Sequence, residues 1–365
     1  MKAKVIAYYL PQFHPTKEND EWWGKGFTEW TNVAKAKPLF KGHKQPHIPA
    51  DLGFYDLRLP ESRELQSEYA LKYGISAFCY WHYWFGNGKE LLDLPFKEVV
   101  RLKKPAIPFC LAWANHSWYN KLWSSSNSGL VSLSKSKLLM EQKYLGKEDY
   151  VQHFYSLLEA FKDERYFKIH GKLVFVIFDS KGFNDFEIFS KIWNELAENE
   201  DLPGFYFVAH VFDEKIPVEK YLQRGFAAIN LSLHRKPFSS LSGRNPLMNR
   251  IRAHFTLGPT RVDYKYAMKL MDSPMYEKDN VYPTIIPNWD HTPRSGRFGR
   301  LFVNGTPELF QKHIESVLAR IANKQEEDKV VFLKSWNEWG EGNYIEPDLE
   351  YGTQYLESLY NALKL

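Results

Sequence analysis

The feature that most constrains this chain is a recurrence. Eight short apolar runs rich in β-branched and aromatic residues follow one another along its length: KVIAYYL from Lys4, ISAFCYW from Ile75, AIPFCLAW from Ala106, LVFVIFD from Leu173, FYFVAH from Phe205, AAINLSL from Ala227, PTIIPNWD from Pro283 and KVVFLKSW from Lys329. Most are apolar at successive positions instead of alternating, which suits parallel strands covered on both faces. Amphipathic helical patterns lie between most of them, including PESRELQSEYALKYG, KEDYVQHFYSLLEAFKD, DFEIFSKIWNELAEN and TPELFQKHIESVLARIANK. The last opens on Thr306, Pro307 and Glu308, a capping hydroxyl, a first-turn proline and an acidic residue. With no Gly/Ser or Pro-rich linker between them, the eight units predict an α/β fold. The expected architecture is a single (β/α)8 TIM barrel, residues 1–365 forming one domain with long loops at its C-terminal face. A doubly wound open sheet is the competitor, and the chain has neither the G-x-G-x-x-G nor the P-loop that such a sheet usually carries.

Composition narrows the function classes. With 48 basic against 44 acidic residues the net charge is only +4, and no dense Lys/Arg tract interleaved with aromatics appears, so nucleic acid is not the expected partner. Cys79 and Cys110 both fall inside expected strands, as reduced core thiols do. The first apolar run stops at Pro11, too short for a signal peptide, and no run approaches the roughly 18 apolar residues of a membrane span. The expected location is therefore cytoplasmic. The unusual figure is the aromatic share, 16%. Many of these rings stand beside Gly, Pro, Asn and His, in company that suits loops and clefts.

Long connections follow the first strand (Pro11 to Leu59), the third (Ala114 to Gly146) and the sixth (His234 to Val281), where a barrel builds its active site. Reading past each strand gives one theme, polar and aromatic groups gathering on one rim. The expected lining is Tyr9, His14, Trp23, Glu29 and Trp30 from the first strand and its loop, and Tyr80, His82 and Trp84 from the second. Trp113 and Asn115 follow from the third, Asp179 from the fourth and His210 from the fifth. Trp289, Asp290 and Arg294 come after the seventh, and Trp336 and Asn337 after the eighth. Flat rings stack on the C–H faces of sugars while amides, carboxylates and imidazoles bind hydroxyls, so the partner this lining suits is an oligosaccharide or polysaccharide.

Within VVFLKSWNEWGEGNYIEPD, Glu338 and Glu341 are the candidate catalytic pair. Two neighbouring carboxyls push their acidities apart, leaving one to donate a proton and one to accept it. Spacing alone also allows loop carboxylates making ion pairs or capping the next helix. Trp336 and Trp339 bracket Glu338, and Gly340 and Gly342 let the backbone turn around Glu341. Glu346, before Pro347, reads as structural. No metal and no cofactor is expected: in HKQPH, Pro46 bars a helical face for His43 and His47, which leaves a surface loop. The run RSGRFGR, with Arg294, Arg297 and Arg300, is either a solvated loop or a grip for a phosphate or an acidic sugar.

Taken together and in order, YYLPQFHP, WWGKGFTEWTNV, LFKGHKQPHIPADLGFYDLR, YWHYWF, NWDHTPRSGRFGR and WNEWGEGNYIEPD resemble the WbsX-type proteins of bacterial surface-polysaccharide gene clusters, a branch similar to glycoside hydrolase family 99. The resemblance spans nearly the whole chain. It implies a (β/α)8 barrel and, from family 99 proper, retaining endo-acting cleavage of α-mannosidic linkages. In that chemistry one glutamate takes the proton of the sugar's own 2-hydroxyl, which attacks the anomeric carbon to give a 1,2-anhydro sugar, while the second protonates the leaving oxygen and later activates water. The match assigns Glu338 to the first role and Glu341 to the second. Two departures bear on substrate: Gly340 stands where family 99 enzymes often carry histidine, and the chain reads WANHSW, with His116 and Ser117, where WbsX-like chains tend to read WANENW.

WbsX-type proteins are often labelled glycosyltransferases from where their genes lie, so transfer of sugar onto a growing polysaccharide is the alternative. No D-x-D motif is present, and hydrolysis or transglycosylation ranks first. A non-catalytic glycan-binding barrel is the third reading.

Overall fold

A computed structural model describes residues 2–120, 137–241 and 258–364. All eight expected strands are present: β1 (Lys4–Tyr9), β2 (Ala77–Trp84), β3 (Phe109–Trp113), β4 (Lys172–Ile177), β5 (Phe205–Val211), β6 (Ala228–Leu231), β7 (Val281–Ile285) and β8 (Val330–Leu333). Each pairs in parallel with its sequence neighbours, and β1 pairs with both β2 and β8, so the sheet closes into a barrel. The alternation of strand and helix in the sequence thus gives the (β/α)8 architecture it predicts. Parts of the long segments after β3 and β6 lie outside the described residues.

The helices needed below are α1 (Lys17–Trp23), α2 (Glu29–Lys35), α3 (Pro60–Lys72), α4 (Leu94–Leu102), α5 (Lys147–Ser156), α6 (Phe186–Asn199), α7 (Thr292–Ser295) and α8 (Pro307–Ile321). In α8 the local rules act as read: Thr306 accepts the amide of Leu309 as N-cap, Pro307 occupies the first turn, and Phe310, Ile314, Val317 and Ile321 form the buried stripe. Such a cap contributes about 1 kcal/mol; burying the stripe contributes more, at about 25 cal/mol per Å² of apolar surface.

Side chains alternate across the barrel wall. Tyr8 points inward, stacked on Trp81 at 4.7 Å and 5° and hydrogen-bonded to Asn230 (2.8 Å) and His210 (3.0 Å). Its neighbour Tyr9 points outward, to Gln66 of α3 at 2.6 Å. On β2, Trp81 faces in, whereas Tyr80 packs on Phe96 of α4, His82 meets His153 of α5 at 2.8 Å and Trp84 stacks on the same His153. Both cysteines are free and buried, as expected of core thiols.

The segment after β8 is held against the barrel by side-chain hydrogen bonds to backbone. Asn337 exchanges hydrogen bonds with the backbone of Leu10, accepting its N–H at 2.7 Å and donating to its carbonyl at 3.0 Å. This ties the exit of β8 to the exit of β1. Ser335 Oγ accepts the Glu338 amide at 2.9 Å and donates to the Asn343 carbonyl at 2.7 Å, closing a tight loop. Gly342, at φ +54, abuts Asp290, whose Cβ would lie 2.7 Å from any Cβ added there. Trp339 stacks on Tyr344 and donates from Nε1 to Glu346, which also receives Tyr55 and Gln66.

Glu346 is thus a scaffold carboxyl. Burial pushes it up to about 7, despite its three donors. The unfolded chain releases this proton near the ordinary glutamate value while the folded chain keeps it, so the contribution to stability is full at low pH and is lost as pH rises through about 7. Melting temperature should fall between about pH 5 and pH 8 in the wild type, and Glu346→Gln should flatten that slope; an unchanged slope would assign the titration elsewhere.

Candidate functional site

At the C-terminal mouth of the barrel lies a cavity of about 250 Å³ whose wall includes Gln12, Trp81, Tyr83, His116, Trp118, Phe178, Phe212, His234, Arg235, Trp289, His291, Arg294, Lys334, Glu338 and Glu341. A larger cavity, about 510 Å³, lies outside the barrel against α4. There the carboxylates Glu90 and Asp93 both bind the half-exposed Lys97, which, against the effect of burial, holds Asp93 below its usual range as an ion-paired anion, so the smaller cavity is the candidate site.

Arg294 organises it. The short helix α7 carries its guanidinium inward, where Nη1 meets Glu341 at 2.5 Å and Glu338 at 3.3 Å while Nε meets the fully buried Glu29 at 2.9 Å. Burial opposes its charge, but Glu29, Glu341 and Glu338 hold it firmly cationic. The two candidate catalytic carboxyls then diverge. Burial raises Glu338 above the usual glutamate range, and the Glu341 charge adds to the rise. Burial also works against Glu341, yet Arg294, with His291 at 3.5 Å, pulls it well below that range. The two carboxyls are therefore biased in opposite directions, Glu338 toward keeping a proton and Glu341 toward its anion.

Around the pair, Lys334 Nζ lies over the Trp289 ring at 5.4 Å and 4.0 Å from Glu338 Oε2. Trp289 in turn stacks against His234, which burial keeps neutral. Beneath the cavity floor are Tyr8 and His210. Tyr83 and Trp81 supply aromatic wall, and Arg235 lies over the Phe212 ring at 4.0 Å.

Of the expected lining, Trp289, Arg294, Glu338 and Glu341 meet at this cavity. Glu29, Asp290 and Asn337 stand one layer behind. Asp290 receives His43 and Gln45 at 2.8 Å each and gives its amide to the Glu341 carbonyl at 2.6 Å. The HKQPH run, expected on the surface, therefore turns His43 inward instead. Tyr9, Tyr80, His82, Trp84 and Trp113 are corrected: they face the helix layer, because a shift of one position along a strand reverses the side of the wall. Trp336 packs outward on Phe78, and Trp30 packs between Phe13, Tyr55 and Trp339. His14 bonds the Pro11 carbonyl, Asn115 and Asp179 brace each other's loop, and His210 sits below the floor bonded to Tyr8. Trp23, at the end of α1, is half-buried near Phe27 and off the cavity wall. In RSGRFGR, Arg294 is committed to three carboxylates while Arg297 and Arg300 are exposed. Sequence reading missed Trp81, Tyr83, Phe178, Phe212, Arg235, His291 and Lys334; alternation sets Trp81 and Tyr83 on one face of β2 without saying which face is inward.

The family model described as "Glycosyltransferase WbsX" matches residues 5–359. The chain belongs to the WbsX family. The protein WxcX of Xanthomonas campestris pv. campestris, described as uncharacterized, is 31% identical over 367 residues, in two strains alike. That match takes in 100% of this chain and 50% of the relative, so the chain spans about half the length of the curated relatives it matches. Among solved structures, a glycoside hydrolase-like protein superimposes with TM-score 0.59 at 16% identity, over 100% of this chain and 94% of that one. The GH99 endo-alpha-mannosidase from Bacteroides thetaiotaomicron follows at 0.57 and 12%, over 100% and 97%. These likenesses establish the shared barrel.

In this WbsX chain the space above Gly340 belongs to Glu29: a Cβ at Gly340 would land on the Glu29 carboxylate and stand 3.0 Å from Arg294 Nε. Gly340→Ala should therefore destabilise the fold by about 1–3 kcal/mol. Calorimetry on G340A, E29A and the double variant should give a non-additive cycle, the second substitution costing less in the presence of the first; strict additivity would mean that the two side chains do not compete.

Proposed function

We propose that this chain is a glycan-processing enzyme of the glycoside hydrolase type, acting on α-linked mannose-like residues of a bacterial surface polysaccharide by endo cleavage with retention, or by the corresponding transglycosylation. The observation that carries this reading is the Glu338 and Glu341 pair sharing Arg294 Nη1 at an aromatic-walled cavity, with their acidities pushed in opposite directions. Two oxygens at 3.3 and 2.5 Å from one nitrogen cannot be separated by more than those two lengths together. That falls short of the about 6.5–9.5 Å that inverting enzymes use to seat a water.

In the reaction, Glu338 takes the proton of the 2-hydroxyl as its oxygen bonds to the anomeric carbon, and the bond to the leaving oxygen breaks as Glu341 protonates it. Water then attacks the 1,2-anhydro ring, giving its proton to Glu341, while the ring oxygen recovers its proton from Glu338. This cycle needs one proton on the pair. The cycle has it on Glu341 before cleavage and on Glu338 after, two groups that bond the same guanidinium nitrogen. Transfer from an activated donor is less well supported, since Arg294, the inward residue of its loop, is committed to carboxylates.

Glu341→Gln should lower kcat at least about 100-fold on ordinary α-mannosides yet retain much of the rate on substrates with strongly acidic leaving groups, whereas Glu338→Gln should lose both. Equal losses on both substrate types in the two variants would reject the division of roles. The wild-type kcat/KM profile should be bell-shaped, its acid limb below and its alkaline limb above the usual glutamate range. A flat profile across both limbs would be inconsistent with two carboxyls of opposed acidity.

A further inference from the structure

Lys334 is the first residue past β8, its amide fixed to the Ile285 carbonyl at 3.0 Å. Its side chain is only 8% exposed and lines the cavity. Among the described residues Nζ makes no hydrogen bond; Glu338 Oε2, at 4.0 Å, is its nearest carboxylate oxygen and lies beyond bonding reach. That Oε2 is itself buried without a hydrogen-bond partner, because Arg294 engages the other oxygen, Oε1. A donor and an acceptor, each costly to leave unsatisfied, thus face one another across the cavity.

A group that satisfies both must accept from an ammonium and donate to a carboxylate through one atom. A carboxylate or phosphate ligand could serve only Lys334, and an amine only Glu338. A hydroxyl does both. Two hydrogen bonds of about 2.8 Å reaching across the 4.0 Å gap meet at about a right angle on the shared oxygen, an acceptable geometry for a hydroxyl. The Trp289 ring beneath the ammonium fixes its position without consuming its donors.

We propose that Lys334 and Glu338 together clasp one hydroxyl of the sugar whose bond is cleaved, Lys334 donating to it and Glu338 accepting from it, so that Lys334 is a further catalytic residue. The proposal rests on the glycosidase reading above and adds a group to it. As the hydroxyl proton passes to Glu338 Oε2, negative charge builds on the oxygen that bonds the anomeric carbon, and the ammonium faces that oxygen directly. The bonds and protons balance within the substrate and the pair, and Lys334 keeps its own protons throughout. A fixed cation at that point stabilises charge only as it develops.

The test compares two probes, a mannose-configured iminosugar and its 2-deoxy counterpart, by calorimetric titration of the wild type and of Lys334→Met. The substitution should weaken the hydroxylated probe by about 10–100-fold and leave the 2-deoxy probe within about threefold. A role confined to packing would weaken both equally, and equal losses overturn the clasp while leaving the glycosidase reading intact. If the wild type binds neither probe and turns over no α-mannoside, both readings fall. Should Lys334→Met not fold, a crystal of the wild type soaked in the hydroxylated probe decides. A sugar oxygen within hydrogen-bond distance of both Nζ and Oε2 supports the proposal, and a bound sugar with no such oxygen refutes it.

Discussion

The Arg294 guanidinium is the constraint on which the site depends. Burying an arginine is unfavourable unless its charge is met, and here three glutamates from two stretches of chain meet it. Glu29 comes from the loop after β1, Arg294 from the loop after β7, and Glu338 and Glu341 from the loop after β8. One cation thereby fixes the relative positions of three separate connections. It also breaks the symmetry of the carboxyl pair, because it lies closer to Glu341 than to Glu338. Without that inequality two buried glutamates would resist ionisation about equally, and neither would be prepared for a distinct task.

Much of the fold was legible in the sequence, because continuous apolar runs and helical periodicity are local signals. All eight runs became barrel strands, and α8 starts at the cap that its residues announce. What local signals could not supply was the phase of each strand. In a barrel wrapped by helices both faces of a strand are buried, so Tyr8 and Tyr9, or Trp81 and His82, look equally apolar or equally aromatic along the chain. Inward and outward are decided by where the neighbouring strands stand, which is non-local information.

The site was legible to a different degree. Glu338, Glu341, Trp289 and Arg294, expected because unusual residues crowd at strand ends, all line the cavity. Glu29 and Asp290 are expected at the sugar, but each braces another residue: Glu29 holds the Arg294 side chain, and Asp290 holds the Glu341 backbone through its own amide. Nothing in the one-dimensional pattern separates a carboxylate that touches a ligand from one that touches the residue that does. Lys334 and Arg235 were overlooked for the opposite reason, being ordinary lysine and arginine until the cavity gives them a context.

The mutual grip of Asn337 and Leu10 carries a consequence for biosynthesis. The strand that bears the carboxyl pair is the eighth of the barrel, and the loop that locks it in place belongs to the first. Until β8 has emerged the chain lacks both glutamates of the proposed centre, and Arg294 has only Glu29 to hold. The proposed centre is thus complete only when the ring closes, so assembly of the site and completed topology arrive as one event.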